Sequence, residues 1–146
     1  MLQKKRGQIS TEYLIVVGFV TFVVIGIMAV AYFYMGSIRT SMLLSQVTNF
    51  ANKVISSGEE VFFSGEPAKV TVKAYLPEGV QQIRFIEDQI VFDVLTDSGL
   101  NVIAFSSDVP IIEAPSSITT FQGLKNVKIE AVTVNGEKGI KIYQEP

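Results

Sequence analysis

Residues 13–38 read YLIVVGFVTFVVIGIMAVAYFYMGSI, a run without one charged side chain. Leu14 to Met35 alone supply 22 uncharged residues, and a bilayer core is crossed by roughly 20 helical residues. The run is long enough to span. Lys4, Lys5 and Arg6 stand on its N-terminal flank, and basic residues beside an apolar helix keep that flank in the cytoplasm, so the remainder is expected to face outward. An ordinary secretory signal has an apolar core of only about 7–15 residues before a small-x-small cleavage site. Ala29-Val30-Ala31 mimics such a site. The run is too long for that reading, however, and Glu12 would sit at its start, although a carboxylate at a helix centre costs about 2.5–3.5 kcal/mol on insertion scales.

The whole chain has 146 residues, which suits one globular domain with an appendage. It contains no Cys and no His, so disulfides, thiolate nucleophiles, zinc sites and the commonest general base near neutral pH are unavailable. Twelve Lys and Arg against 14 Asp and Glu give a net charge of −2. The basic residues form no patch in sequence outside the extreme N-terminus, which gives nucleic-acid binding no support. Nor is there a GxxxxGK[ST] loop, a dinucleotide-type glycine pattern or a GxSxG elbow. Glu59-Glu60 and Glu87-Asp88 read as solvated charges, because neighbours on a strand point to opposite faces and make no ready acid/base pair. Asp93, Asp97 and Asp108 lack an EF-hand spacing. The expectation is therefore no catalytic residue, no metal and no cofactor.

Beyond Gly36 the pattern becomes amphipathic, with Ile38, Met42, Val47, Phe50, Ala51, Val54 and Ile55 near one helix face. A continuous helix over Ile9–Ser57 would contain 49 residues and span about 73 Å, more than twice the hydrocarbon core. Its outer half is expected to lie against the chain's own β domain. Leu14 to Met35 are apolar all round, and once outside a membrane could be buried only among copies of the same helix. Gly18 and Gly26, with Ala29 and Ala31, would permit close helix approach, although their spacing is not GxxxG.

Ser57-Gly58 reads as a helix stop, and the chain after Pro67 reads as strands separated by turns. Polar and apolar residues alternate over Lys69–Leu76, with similar runs at Gln82–Ile86, Gln89–Leu95, Leu100–Phe105, Asn126–Val134 and Gly139–Tyr143. Asn135-Gly136 is a tight-turn signal. Pro110, Pro115 and the Ser-Ser pairs make Ser106–Thr120 an extended loop or edge strand. Its Ile111-Ile112 pair either caps the core or contacts a neighbouring molecule. Six or more short strands in about 80 residues favour a small antiparallel sandwich, immunoglobulin-like in outline being one such form.

Around the start of the apolar run, Arg6-Gly7-Gln8-Ile9-Ser10-Thr11-Glu12-Tyr13-Leu14 resembles the class III signal peptide of archaeal type IV pilin-like proteins. That family's pattern is a basic leader, Gly, Gln-x-Ser-x-Glu-Tyr and a long hydrophobic helix. The resemblance implies a processing site formed by Lys4, Lys5, Arg6, Gly7 and Gln8, cut by a prepilin peptidase between Gly7 and Gln8. It also implies assembly roles for Gln8, Ser10, Glu12 and Tyr13, with Glu12 pairing with a neighbour's new amino terminus. Leu14, Val17, Gly18, Phe22, Ile25, Gly26, Ala29 and Phe33 would then belong to a filament-core helix. Archaellins share the leader and helix but usually follow the cleavage site with a Gly-rich pattern, which Gln8 to Tyr13 lacks. Cutting before the helix retains it, removes the cytoplasmic basic anchor and changes the net charge to −5, nine basic against 14 acidic residues.

The expected fold is α+β: a cleaved leader at 1–7, a long N-terminal helix at 8–57 and a β-sandwich head at 58–146. The expected function is that of a non-enzymatic pilin, a single-pass membrane precursor that becomes a homo-oligomeric helical filament on the cell surface and serves adhesion. Its partners would be the peptidase and a membrane-embedded assembly platform with a separate ATPase. A permanently membrane-anchored β-domain binding protein that never polymerises is the alternative, and an extracellular enzyme is the third class weighed.

Overall fold

The computed structural model describes residues 5–113 and 118–144, with side chains over 10–112 and 118–144. The first helix, α1, runs over Lys5–Ser64. The chain divides into two compact units, one ending at Arg39 and one beginning at Thr40.

The second unit holds the end of α1 and seven strands: β1 (Lys69–Leu76), β2 (Val80–Ile86), β3 (Gln89–Thr96), β4 (Gly99–Ser106), β5 (Ile111–Glu113), β6 (Gly123–Val134) and β7 (Glu137–Gln144). They form two sheets, ordered β1-β6-β7-β5 and β2-β3-β4. The β1 register runs without a slip from Lys69 opposite Glu130 to Leu76 opposite Gly123. Alternation dictates which face is buried: Val72, Ala74 and Leu76 on β1 turn inward with Val127, Ile129 and Ala131 on β6, while Lys69, Thr71 and Lys73 stay outside. Asn135 and Gly136 both take positive φ, 53° and 88°, which closes the β6–β7 hairpin with the right-handed twist of its strands.

One hydrophobic core joins both inner sheet faces to a stripe of α1 made by Val47, Phe50, Ala51, Val54, Ile55 and Val61. Phe50 meets Phe92 of β3 edge to face at 6.0 Å, and Phe92 meets Phe105 of β4 at 5.7 Å. The outer half of the helix thus lies against its own β domain, as its periodicity indicates, but the stripe differs at its start. Ile38 and Met42 are exposed, whereas Leu43 packs on the core.

Two further expectations are corrected. The helix does not stop at Ser57-Gly58 but continues to Ser64. Gly58 lies close against β7: a Cβ there would stand 2.6 Å from Ile140 Cδ1, so a larger residue would require the end of that side chain to move. The stop lies seven residues later, where Gly65 (φ 72°) donates its N–H to the carbonyls of Val61 and Phe62, a left-handed residue that satisfies the last turn. Second, the sheet containing β1 is mixed, because β5 pairs parallel to β7. Within Ser106–Thr120, Val109 and Ile118 are fully buried, and Ile111 packs on the core. Those apolar anchors hold a segment whose prolines and serines conceal it from a periodicity reading. Pro115 falls outside the described residues.

Lys125 is a buried lysine on the inner side of β6. Its Nζ donates to Thr119 Oγ1 at 2.8 Å, and Thr119 donates through N and Oγ1 to Gln144 Oε1. These bonds tie the 118–120 segment to β6 and to the end of β7.

Phe92→Ala should destabilise the second unit by about 3–5 kcal/mol, read as a fall in the near-ultraviolet circular dichroism midpoint of the detergent-solubilised chain. Gly139→Ala should cost about 1–3 kcal/mol through overpacking, since its Cβ would stand 2.7 Å from the Pro110 carbonyl oxygen, the acceptor of the Ile140 N–H bond. An unchanged midpoint for either variant would contradict the packing described.

Candidate functional site

In the first unit every residue from Ser10 to Met35 is exposed. The apolar segment has no polar face to turn toward water, so its exposure there is demanding: phenylalanines, valines and isoleucines occupy every side of the helix. Among the described residues, this is the one helix long and apolar enough to cross a membrane. Its hydroxyls are compatible with that setting. Thr21 Oγ1 donates to the Val17 carbonyl at 2.8 Å, and Thr11 also has a partner, which lowers the cost of carrying a polar group into hydrocarbon.

Two aromatic positions bracket the run. Tyr13 stands at one end and Tyr32, Phe33 and Tyr34 at the other, all strongly exposed, with Tyr32 and Phe33 edge to face at 6.4 Å. Tyr13 and Tyr34 are 21 residues apart, about 32 Å along a helix axis at 1.5 Å per residue, which matches the roughly 30 Å of a hydrocarbon core. Tyrosines prefer the two headgroup levels because the ring is apolar and the hydroxyl is wet. One turn beyond, the Arg39 guanidinium reaches Met35 Sδ at 3.9 Å along the helix surface. The aromatic bracket is carried in the sequence by tyrosines at both ends of the apolar run.

Glu12 lies on α1 within the first unit, one residue before Tyr13, and is exposed together with Ser10 and Tyr13. Lys4 is outside the described residues; Lys5, Arg6, Gly7 and Gln8 belong to α1, but their side chains are outside them. Leu14, Val17, Gly18, Phe22, Ile25, Gly26, Ala29 and Phe33 fall within one half of the helix circumference at 100° per residue. The opposite half, including Val20, Val24 and Ile27, is equally apolar and equally uncovered, so the eight are not distinguished by their surroundings. Gly18 and Gly26 both have open space where a Cβ would project. Around Gly26 this leaves a shallow apolar hollow of about 440 Å³ bounded by Val23, Ile27, Val30 and Ala31.

Among the described residues no group of three or more carboxylates comes together as a metal site. A cleft of about 520 Å³ lies where Phe62, Phe63 and Glu66 face Thr133 and Lys138.

No protein-family model matches the chain, and no curated protein and no solved structure matches it.

Val24→Arg, in the middle of the run, should lower membrane insertion by about 2.5–3.5 kcal/mol, read as a shift of the expressed chain from the carbonate-resistant membrane fraction to the soluble fraction. Full retention would show that this segment is not the spanning one. A long N-terminal apolar helix followed by a small β-sheet head is an architecture consistent with a pilin-like fold in general.

Proposed function

We propose that this chain is the structural subunit of an archaeal type IV-like pilus, inserted in the membrane through α1, processed after Gly7 and polymerised through Gln8 to Met35 into an extracellular adhesive filament. The observation that carries the reading is the apolar circumference of α1 from Tyr13 to Ile38. A lipid anchor needs such a surface while the protein stays in the bilayer. A subunit that leaves the bilayer needs the same surface covered by identical helices, because no other element of its own unit can cover it.

Glu12 supplies the second element. It is the one charged residue between Arg6 and Arg39, four residues along the chain from Gln8, the position that would become the new N-terminus. In an apolar bundle an unpaired carboxylate is costly and a paired one is tolerated, so a neighbour's freed α-amino group at Gln8 is a fitting partner. A prepilin peptidase and a membrane-embedded platform with its own ATPase would complete the system.

N-terminal mass mapping of the protein from its native membrane or surface fraction tests the processing step. A terminus at Gln8 supports it. An intact Met1 would leave a permanent anchor carrying a β domain, and a terminus at Tyr32 would leave a secreted head without its stem; each sinks the proposal. Glu12→Ala should still be inserted and cut, yet yield few sedimentable filaments, whereas wild-type filament yield would remove Glu12 from assembly.

A further inference from the structure

Charge in the second unit is sorted by sheet. Strands β1, β6 and β7 carry six lysines (Lys69, Lys73, Lys125, Lys128, Lys138, Lys141) against Glu130 and Glu137, a net of +4. From Glu78 to Asp108, the stretch containing β2, β3 and β4, there are six carboxylates and a single cation, a net of −5. That cation, Arg84, is already held by Asp93 at 2.6 Å.

Registry gathers the basic side chains. Lys69 and Lys73 project outward from β1, the edge strand of its sheet, and Lys128 stands opposite Thr71 between them on β6. Lys53 of α1 donates to the Lys73 carbonyl at 2.8 Å, adding a further ammonium at the same edge. The acidic side chains gather too. Glu87 and Asp88 form the β2–β3 turn, and the Ser107 N–H bonds to the Asp88 carbonyl at 2.7 Å, which brings the neighbouring Asp108 to that end of the sheet. All three acidic residues are exposed, as are Lys69 and Lys73.

We infer that the lysine face at the β1 edge docks on the Glu87–Asp88–Asp108 tip of a second copy of this chain, making a heterologous contact between heads. The inference rests on the polymerisation reading above and adds the surfaces through which heads meet. One subunit carries both halves of the contact, on different sheets. Repeated head to tail, such a contact generates an open helical array rather than a closed dimer. Opposite patches also fix register and penalise wrong docking. Screening over about 8 Å at physiological salt restricts the effect to charges in contact.

The test uses full-length chains, half of them labelled with heavy nitrogen, mixed in membranes or in filaments and treated with a zero-length carbodiimide. Mixed-isotope crosslinks joining Lys69 or Lys73 to Glu87, Asp88 or Asp108 are expected. Lys69→Glu with Lys73→Glu should reduce the filament yield by about tenfold or more, as like charges are then brought together; so should Asp88→Lys with Asp108→Lys. Mixing the two reversed chains, or combining all four changes in one chain, should restore the filament yield, with crosslinks now joining the same positions with amine and carboxylate exchanged. A thermal midpoint like that of the parent confirms that each variant is folded. Filaments without these crosslinks would overturn the docking surface and leave polymerisation standing. Crosslinks without filaments would retain the head contact and remove the polymerisation reading. Reversal at Lys69 and Lys73 that spares filaments but abolishes retention on dextran sulfate would assign the face to an acidic polysaccharide and overturn the inference.

Discussion

The stripe of α1 from Val47 to Val61 is the surface on which the second unit is built. Each sheet has one apolar face, and neither could leave that face in water. Phe50 engages the β2-β3-β4 sheet through Phe92, and two turns later Gly58 presses its backbone toward Ile140 and Ile129 of the other sheet. One helix therefore serves as a wall common to both sheets. Burying a large apolar side chain contributes about 1.5–3 kcal/mol, and the stripe places several of them in a single cluster with the inner residues of five strands. The helix must continue past Gly58 for Val61 to join that cluster, which is why it ends at Gly65 and not sooner.

The same helix meets two different demands along its length. After Thr40 its apolar residues are confined to the stripe, and the chain's own strands satisfy them. Before Arg39 the apolar residues surround the axis, so no single packing partner on one side can satisfy them. The aromatic bracket at Tyr13 and Tyr34 gives that stretch the dimension of a bilayer core. The small residues Gly18 and Gly26 leave room for another helix to come close. A segment with these properties is suited first to lipid and then to a bundle of its own kind, and the proposed filament follows from that pair of environments.

Charge follows a different logic from hydrophobicity here. Along the chain the carboxylates already cluster from Glu87 to Asp108, whereas the lysines of the head fall in two groups, at 69–73 and 125–141, and the overall net charge of −2 conceals both. The topology pairs β1 with β6, passing over the intervening β2-β3-β4 sheet. That crossover brings Lys69 and Lys73 beside Lys128, some 55 residues away in sequence, and segregates the acidic hairpin to the other sheet. An electrostatic polarity thus arises from a locally encoded acidic hairpin and from the strand order that gathers the lysines.

Residues 13–38 by themselves determined that the chain begins with an apolar helix of membrane-spanning length, because hydropathy is a sum over neighbours in sequence. Alternation likewise located six strands, β1 from Lys69 to Leu76 among them, because the side-chain period of a strand is two regardless of its partner. Four things depended on the tertiary structure. Gly58 reads as a stop until Ile140 is placed against it. Lys125 finds Thr119 beside it, with Thr119 bonded to Gln144, 25 residues along the chain. The parallel pairing of β5 follows from the buried anchors Val109 and Ile118, which have no period to reveal them. The gathering of the β1, β6 and β7 lysines in one sheet follows from strand order. In each case the deciding contact joins residues far apart in the chain, and local sequence carries no record of which distant backbone will arrive beside it.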